Sequence, residues 1–125
     1  HEKAVALWQQ VMEEDPCNQR ALAGLERLYP LLDQYADLVF LYGELFQLVE
    51  QDEADQLRLK STKVLFDRLG AYRDGFENLV VSMARSEPHA ETLEFVEAWI
   101  GETKFQELEN GLRGLVFYWD WLEPL

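Results

Sequence analysis

Apolar residues recur along this chain at the three- and four-residue spacing of amphipathic helices. Ala4, Trp8 and Val11, for example, fall on one face of the first such segment. This spacing predicts an all-α protein without strands. Seven helices are predicted, covering residues 2–14, 19 to about 30, 35–51, 53–69, 72–86, 89–101 and 104 onward.

Residues that cap or interrupt helices mark the ends of these segments. Pro16 disfavours helix at Asp15 and so ends the first helix. Asn18 is placed to cap the second helix, and Pro30 is expected to break or bend its last turn. Gly70 stands where a left-handed C-cap is expected after the fourth helix. The loops are therefore short, and sequential helices are expected to be antiparallel neighbours.

The third predicted helix differs from the others because it is apolar on nearly all sides. Its apolar residues are Leu38, Val39, Phe40, Leu41, Tyr42, Leu45, Phe46, Leu48 and Val49. A helix of this kind is usually buried on several sides. We expect it to lie between the hairpin that precedes it and the hairpin that follows it.

A similar short sequence motif that begins with an aromatic residue occurs three times in the chain. The three motifs begin at Tyr35, Tyr72 and Phe105, which lie 37 and then 33 residues apart. Pro16 and Pro88, each after an acidic residue, form a second marker 72 residues apart. A period in the mid-thirties is typical of stacked helical hairpins, in which each unit buries its apolar face against its neighbours. We expect the three aromatic residues to begin the second helix of a hairpin and to wedge it against the first.

These features resemble the tetratricopeptide repeat (TPR), a helix-turn-helix unit of about 34 residues. Ala4, Trp8 and Pro16 fall at the small, aromatic and terminal proline positions of the family's second helix. Phe76, Val80 and Pro88 occupy the corresponding places in a later unit, although Phe76 is large where the family has a small residue. The Trp-x-x-Leu-Gly-x-x-Tyr core of the family's first helix is absent. The resemblance implies a right-handed α-solenoid of antiparallel helical hairpins that binds peptides or partner proteins in a concave groove.

Length and composition predict one domain. The chain has 125 residues, of which 48% are apolar and 13% aromatic, which is too rich for a disordered segment. We therefore predict a single α-helical repeat domain over residues 1–125. The chain begins at His1 without an initiating Met, and the helical pattern is already present at Ala4. We expect this domain to be a fragment of a longer chain.

Net charge restricts the class of partner. A formal charge of −13 disfavours nucleic acid and anionic membrane surfaces and would attract basic peptides or basic protein faces. No apolar run approaches the roughly 20 residues of a membrane span, so direct membrane insertion is not expected. Cys17 is the single cysteine, which excludes an intrachain disulfide. That composition suits a reducing compartment such as the cytoplasm.

The residue types that usually carry catalysis are scarce. His1 and His89 are the two histidines, and neither lies in a metal-binding or zincin-type spacing. Glu94 and Glu97 share a helix face, but such pairs are expected by chance among 24 acidic residues. Cys17 has no histidine near it in the sequence. We therefore predict no catalytic site, no metal site and no cofactor.

One segment reverses the prevailing negative charge. Between residues 56 and 73, Asp67 is the single acidic residue among five basic ones: Arg58, Lys60, Lys63, Arg68 and Arg73. If this face lines a groove, Lys60 and Lys63, with Arg58 beside them, could hold an acidic tail or a C-terminal carboxylate, as carboxylate-clamp members of the resembled family do. The alternative is that these cations neutralise neighbouring acidic helices.

The second candidate for partner binding is the aromatic run from Phe117 to Trp121. It contains Trp119 and Trp121 and is more aromatic than one helix face can bury against a single hairpin. Three interpretations stay open: a docking surface for a further repeat, a contact with a partner or a second copy of the chain, and a lid over the final hairpin.

Taken together, these observations predict a protein–protein interaction scaffold that binds another protein or a peptide and is not an enzyme. One alternative is a structural subunit of a homo-oligomer or larger assembly, with self-association through the C-terminal aromatic segment. The other is a small helical enzyme or ligand-binding domain, which would require a closed pocket with carboxylates converging near His89.

Overall fold

A computed structural model of the chain describes residues 1–84 and 88–100, excluding the side chains of residues 99 and 100. All of the regular secondary structure in this part of the chain is helical and none is strand, so the all-α prediction is confirmed for it. The seventh predicted helix, from residue 104, lies outside the described residues. Within the described residues, the six α-helices are α1 (Glu2–Glu14), α2 (Gln19–Leu31), α3 (Tyr35–Leu45), α4 (Gln51–Val64), α5 (Tyr72–Met83) and α6 (Ala90–Ile100).

The sequence signals at helix ends act largely as predicted. The Asn18 side chain caps α2 by accepting a hydrogen bond from the Ala21 backbone N–H at 2.9 Å. Pro30 lies in the last turn of α2, which ends one residue later at Leu31. Tyr35 and Tyr72 are the first residues of α3 and α5.

The predicted extent of the third helix is wrong at its C-terminal end. The helix stops at Leu45 rather than at residue 51, and a turn follows it. This turn packs Phe46 and Val49 against the apolar core, while Leu48 points outward and is 54% exposed. Helix α4 accordingly begins at Gln51, two residues before its predicted start.

A π-helical segment over Leu65–Leu69 continues directly from α4. Gly70 ends it with φ 61°, the left-handed conformation predicted for this glycine. The Phe66 ring is buried and packs against Tyr72 and Phe95, with centroids 5.7 and 6.0 Å away. Gly75 faces this ring so closely that a Cβ there would collide with it.

The buried apolar residues form two clusters. The larger cluster draws on all four helices from α1 through α4. It consists of Val5, Leu22, Leu25, Leu28, Tyr29, Leu38, Leu41, Tyr42, Leu45 and Leu57. The smaller joins the π-helical segment to α5 and α6 and consists of Phe66, Phe76, Leu79, Met83 and Val96. Each helix contacts the next one along the chain, and α4 also contacts α6.

Candidate functional site

An open groove runs between α1 and α3, with α2 beneath it. Its volume is about 720 Å³, within the range of small-molecule and cofactor sites. Its lining residues are Gln9, Met12, Glu13, Pro16, Leu25, Tyr29, Asp37, Phe40, Leu41, Glu44, Gln47 and Leu48. We call this feature the acidic groove, because all of its ionised side chains are carboxylates.

Helix α1 supplies one wall of the acidic groove. Gln9, Met12 and Glu13 have the i, i+3, i+4 spacing of a single helix face, and Pro16 extends the wall beyond the helix end. The Gln9 side-chain amide donates a hydrogen bond to the Tyr29 hydroxyl at 3.0 Å, which ties this wall to the floor formed by α2.

Helix α3 and the turn after it supply the opposite wall. Asp37, Phe40 and Glu44 fall on one face of α3, together with the buried Leu41. Asp37 and Glu44 are seven residues apart, so the helical rise separates them by about 10 Å, or two turns. Phe40 lies between them and is 68% exposed, and the exposed Leu48 follows at the end of the wall.

The exposure of Phe40 limits the expectation that the third helix is buried on several sides, because α3 contacts both α2 and α4 but leaves this one face open. Leu38, Leu41 and Leu45 face the larger apolar cluster, as expected. Phe40 points away from that cluster into the acidic groove, because no helix in the described residues covers this face of α3. The apolar excess of α3 is therefore a surface feature as well as a core feature.

The electrostatics of the acidic groove are one-sided. Glu13, Asp37 and Glu44 are exposed, and none of the lining residues in the described part is basic. Across residues 1–84 and 88–100, none of these three carboxylates forms an ion pair. The acidic groove can thus take apolar side chains between its walls and attract cations to its rim.

Lys60, predicted as a partner-binding residue, is engaged within the protein. Its ammonium lies 3.3 Å from a carboxylate oxygen of Glu26 on α2. The Tyr42 hydroxyl donates a hydrogen bond to the same oxygen at 2.6 Å. Burial raises the pKa of the Tyr42 hydroxyl well above its ordinary value, and the neighbouring Glu26 carboxylate raises it further.

Arg58 and Lys63, the other predicted cations, approach different groups. The Arg58 guanidinium is 2.9 Å from the Asp55 carboxylate and lies over the Phe46 ring. The Lys63 ammonium lies 5.8 Å from the centre of the Phe95 ring of α6. Neither residue lines the acidic groove, and Lys60 lies apart from it as well. Their role in binding a partner stays a prediction.

The other predicted features contribute little to this site. Trp119 and Trp121 lie outside the described residues. His89 accepts a hydrogen bond from the Glu91 backbone N–H at 3.4 Å, and Cys17 is exposed. No group of three or more potential ligands within residues 1–84 and 88–100 could hold a metal ion. In that same part of the chain, no helix combines the length and apolar character needed to cross a bilayer.

The acidic groove was missed at the sequence level, although a signal for it existed. The third helix has more apolar residues than one buried face accommodates. Asp37 and Glu44 flank the surplus Phe40 at three and four residues, so the three share a face. A surface apolar residue bracketed by charges of one sign is the pattern that could have indicated a binding wall.

Comparison with known proteins identifies no relative. No protein-family model, no curated protein and no solved structure matches this chain. Interpretation of the site therefore depends on its own geometry and charge.

Proposed function

We propose that this domain is a protein–protein interaction module, a TPR-like array of helical hairpins that binds a segment of a partner protein in the acidic groove. The observation that supports this most directly is the exposure of Phe40 and Leu48 along one open groove. The resemblance of residues 4–16 to the family's second helix is consistent with it.

The energetics of the two exposed side chains favour a partner. Fully burying a Phe or Leu side chain stabilises a complex by roughly 1.5–3 kcal/mol. Phe40 and Leu48 are 68% and 54% exposed, so covering both would contribute about 2–3 kcal/mol. Aromatic anchors that fill grooves dominate binding energies in protein interfaces. Phe40 is therefore the residue we expect to carry most of the affinity.

The proposal can be tested by affinity capture with two matched double variants. Phe40→Ala/Leu48→Ala removes the exposed apolar groups of the groove. Leu7→Ala/Leu31→Ala removes groups of similar size that are 60% and 63% exposed but do not line the groove. We expect the control variant to retain the partner and the groove variant to lose it. Circular dichroism and thermal melts of both variants check that the fold is retained.

Two results would contradict the proposal. One is equal recovery of every partner by the two double variants, which would place binding elsewhere. The other is loss of the partner with Lys60→Glu/Lys63→Glu but not with the groove variant, which would favour the basic side chains of α4. Sedimentation of the purified chain shows whether the captured molecule is a second copy of the protein.

A further inference from the structure

We propose that the occupant of the acidic groove is an amphipathic, basic α-helix of a partner protein. This inference depends on the proposed function and specifies the partner's chemistry. The partner's apolar face would contact Phe40 and Leu48, and its Lys or Arg residues would lie against Glu13, Asp37 and Glu44. Helix-in-groove binding of this kind uses apolar anchors spaced at i, i+3, i+4 and i+7.

The charge of the partner follows from the groove's rim. Three exposed carboxylates, without ion-pair partners in the described part of the chain, surround the apolar centre. An acidic segment would be repelled by them, whereas a basic segment would be attracted and steered. The overall charge of −13 acts in the same direction at longer range.

The helical form of the partner follows from the groove's hydrogen-bonding groups. An extended segment needs donors and acceptors for its own backbone, as the edge of a β-sheet supplies. Most of the lining lies on helices, whose backbone groups are already hydrogen-bonded. Pro16, Gln47 and Leu48 lie in the turns after α1 and α3, and the described part of the chain has no strand edge. Gln9 and Gln47 are the amide side chains of the lining, and the Gln9 amide group already donates to Tyr29. A helix satisfies its own backbone and needs only side-chain contacts.

The spacing of the rim charges restricts the partner further. Asp37 and Glu44 lie two helical turns apart on either side of Phe40. A partner helix parallel or antiparallel to α3 would match them with two basic residues about two turns apart. Its apolar anchors would lie between these residues and contact Phe40.

Two occupants from this chain itself are disfavoured by charge. Residues 101–125 contain five acidic and two basic residues, so that segment is net negative. A second copy of the chain would bring the same net charge of −13. Both are outcomes that the experiment below can detect.

The test begins with a display library of fully random segments of about 16 residues, roughly 24 Å long as a helix. Segments are retained when they bind the wild-type protein and not Phe40→Ala/Leu48→Ala. We expect the retained segments to be net positive, to carry apolar residues at helical spacing and to become helical on binding by circular dichroism. Retained segments that are net negative or rich in proline would overturn this inference while leaving the proposed function intact. Failure to retain any segment that depends on Phe40 and Leu48 would overturn both.

A synthetic copy of the best segment is then titrated against two triple variants that change net charge equally. Glu13→Gln/Asp37→Asn/Glu44→Gln neutralises the rim, and we expect its affinity to fall about tenfold. Exposed carboxylates outside the groove are neutralised in the control, Glu2→Gln/Glu14→Gln/Glu94→Gln, which should retain most of the affinity.

Equal affinities of the two triple variants would show that the rim carboxylates are not recognised, and the inference would fail. Displacement of the bound segment by a synthetic peptide of residues 101–125 would identify this chain as its own occupant and would also overturn it. Dimerisation that sedimentation detects for the wild type and not for Phe40→Ala/Leu48→Ala would also overturn the inference.

Discussion

The acidic groove and the basic side chains of α4 both place charge on helix surfaces, but they differ in whether that charge has a partner. Arg58, Lys60 and Lys63 each lie against a carboxylate or an aromatic ring of the same protein. Glu13 and Glu44, in the groove, have no ion pair within the described residues.

The difference teaches that a local reversal of charge in the sequence does not by itself indicate charge that lacks a partner within the protein. The cations of α4 stand out in a chain of net charge −13, yet each approaches a group on the protein. The carboxylates of the groove do not stand out, because acidic residues are common everywhere. Whether a charge has a partner within the described residues is visible only in three dimensions.

The sharpest test of this contrast removes a paired charge in the interior. Asp55 is 1% exposed, contacts Arg58 and accepts a hydrogen bond from the Ser82 hydroxyl at 3.2 Å. Asp55→Ala should lower the free energy of unfolding by about 3 kcal/mol, because it leaves the Arg58 guanidinium and the Ser82 hydroxyl without this carboxylate. Urea denaturation followed by circular dichroism measures the loss.

A second variant shows how much of the lost stability comes from leaving the Arg58 charge without the Asp55 carboxylate. Asp55→Ala/Arg58→Leu removes both charges and should regain part of the lost stability. A double variant that is less stable than Asp55→Ala alone would show that the contact between Asp55 and Arg58 is not what stabilises this region.

An intermediate loss of stability is expected when the hydrogen bond between Tyr42 and Glu26 is removed. Tyr42→Phe removes the hydrogen bond to the carboxylate and should cost about 2 kcal/mol at neutral pH. The raised pKa of Tyr42 means that folding favours the neutral hydroxyl. Its contribution is therefore complete below the unfolded-state pKa of about 10 and is lost as pH rises above it.

Urea denaturation across alkaline pH checks this second prediction. The stability difference between wild type and Tyr42→Phe should shrink above about pH 10, since the unfolded state then gains from ionisation. Tyr35→Phe serves as the control, because Tyr35 is only half-buried. A difference that stays constant from pH 7 to about pH 11 would contradict the assigned role of the hydroxyl.

The smallest changes in stability are expected for single surface charges, one that has a partner and one that has none in the described residues. Lys60→Gln removes the exposed contact with Glu26 and should destabilise the protein by about 0.5 kcal/mol. Glu44→Gln should change stability by less than about 0.5 kcal/mol, with a tendency to stabilise, because it relieves negative charge. The loss with Lys60→Gln should also diminish as salt is added. Equal losses in the two variants would remove the distinction between the two regions.

Much of the fold could be predicted because local signals determine helix starts and stops. Asn18 caps α2, Tyr35 and Tyr72 begin helices, and Gly70 adopts the left-handed conformation. The end of α3 could not be predicted in this way. Phe46 and Leu48 extend the apolar pattern of α3, but the turn directs Phe46 to the core and Leu48 to solvent.

The site was less predictable because it depends on contacts between distant residues. Lys60 and Glu26 are 34 residues apart, so the sequence does not reveal that they pair. The sequence likewise shows that Phe40 is apolar but not that its side of α3 is left open. Whether an apolar residue is core or surface depends on which helix face a neighbour covers, and composition carries no information about that.

The acidic groove is also local in the chain, since its lining extends only from Gln9 to Leu48. A ribosome therefore completes the lining before it makes α4, which then adds Leu57 and the partly buried Val64 to the larger apolar cluster. Contacts between consecutive helices have low contact order and form quickly. We expect the groove to fold during synthesis, once its lining has left the ribosome, which makes it accessible to the proposed partner helix before the C-terminal helices have folded.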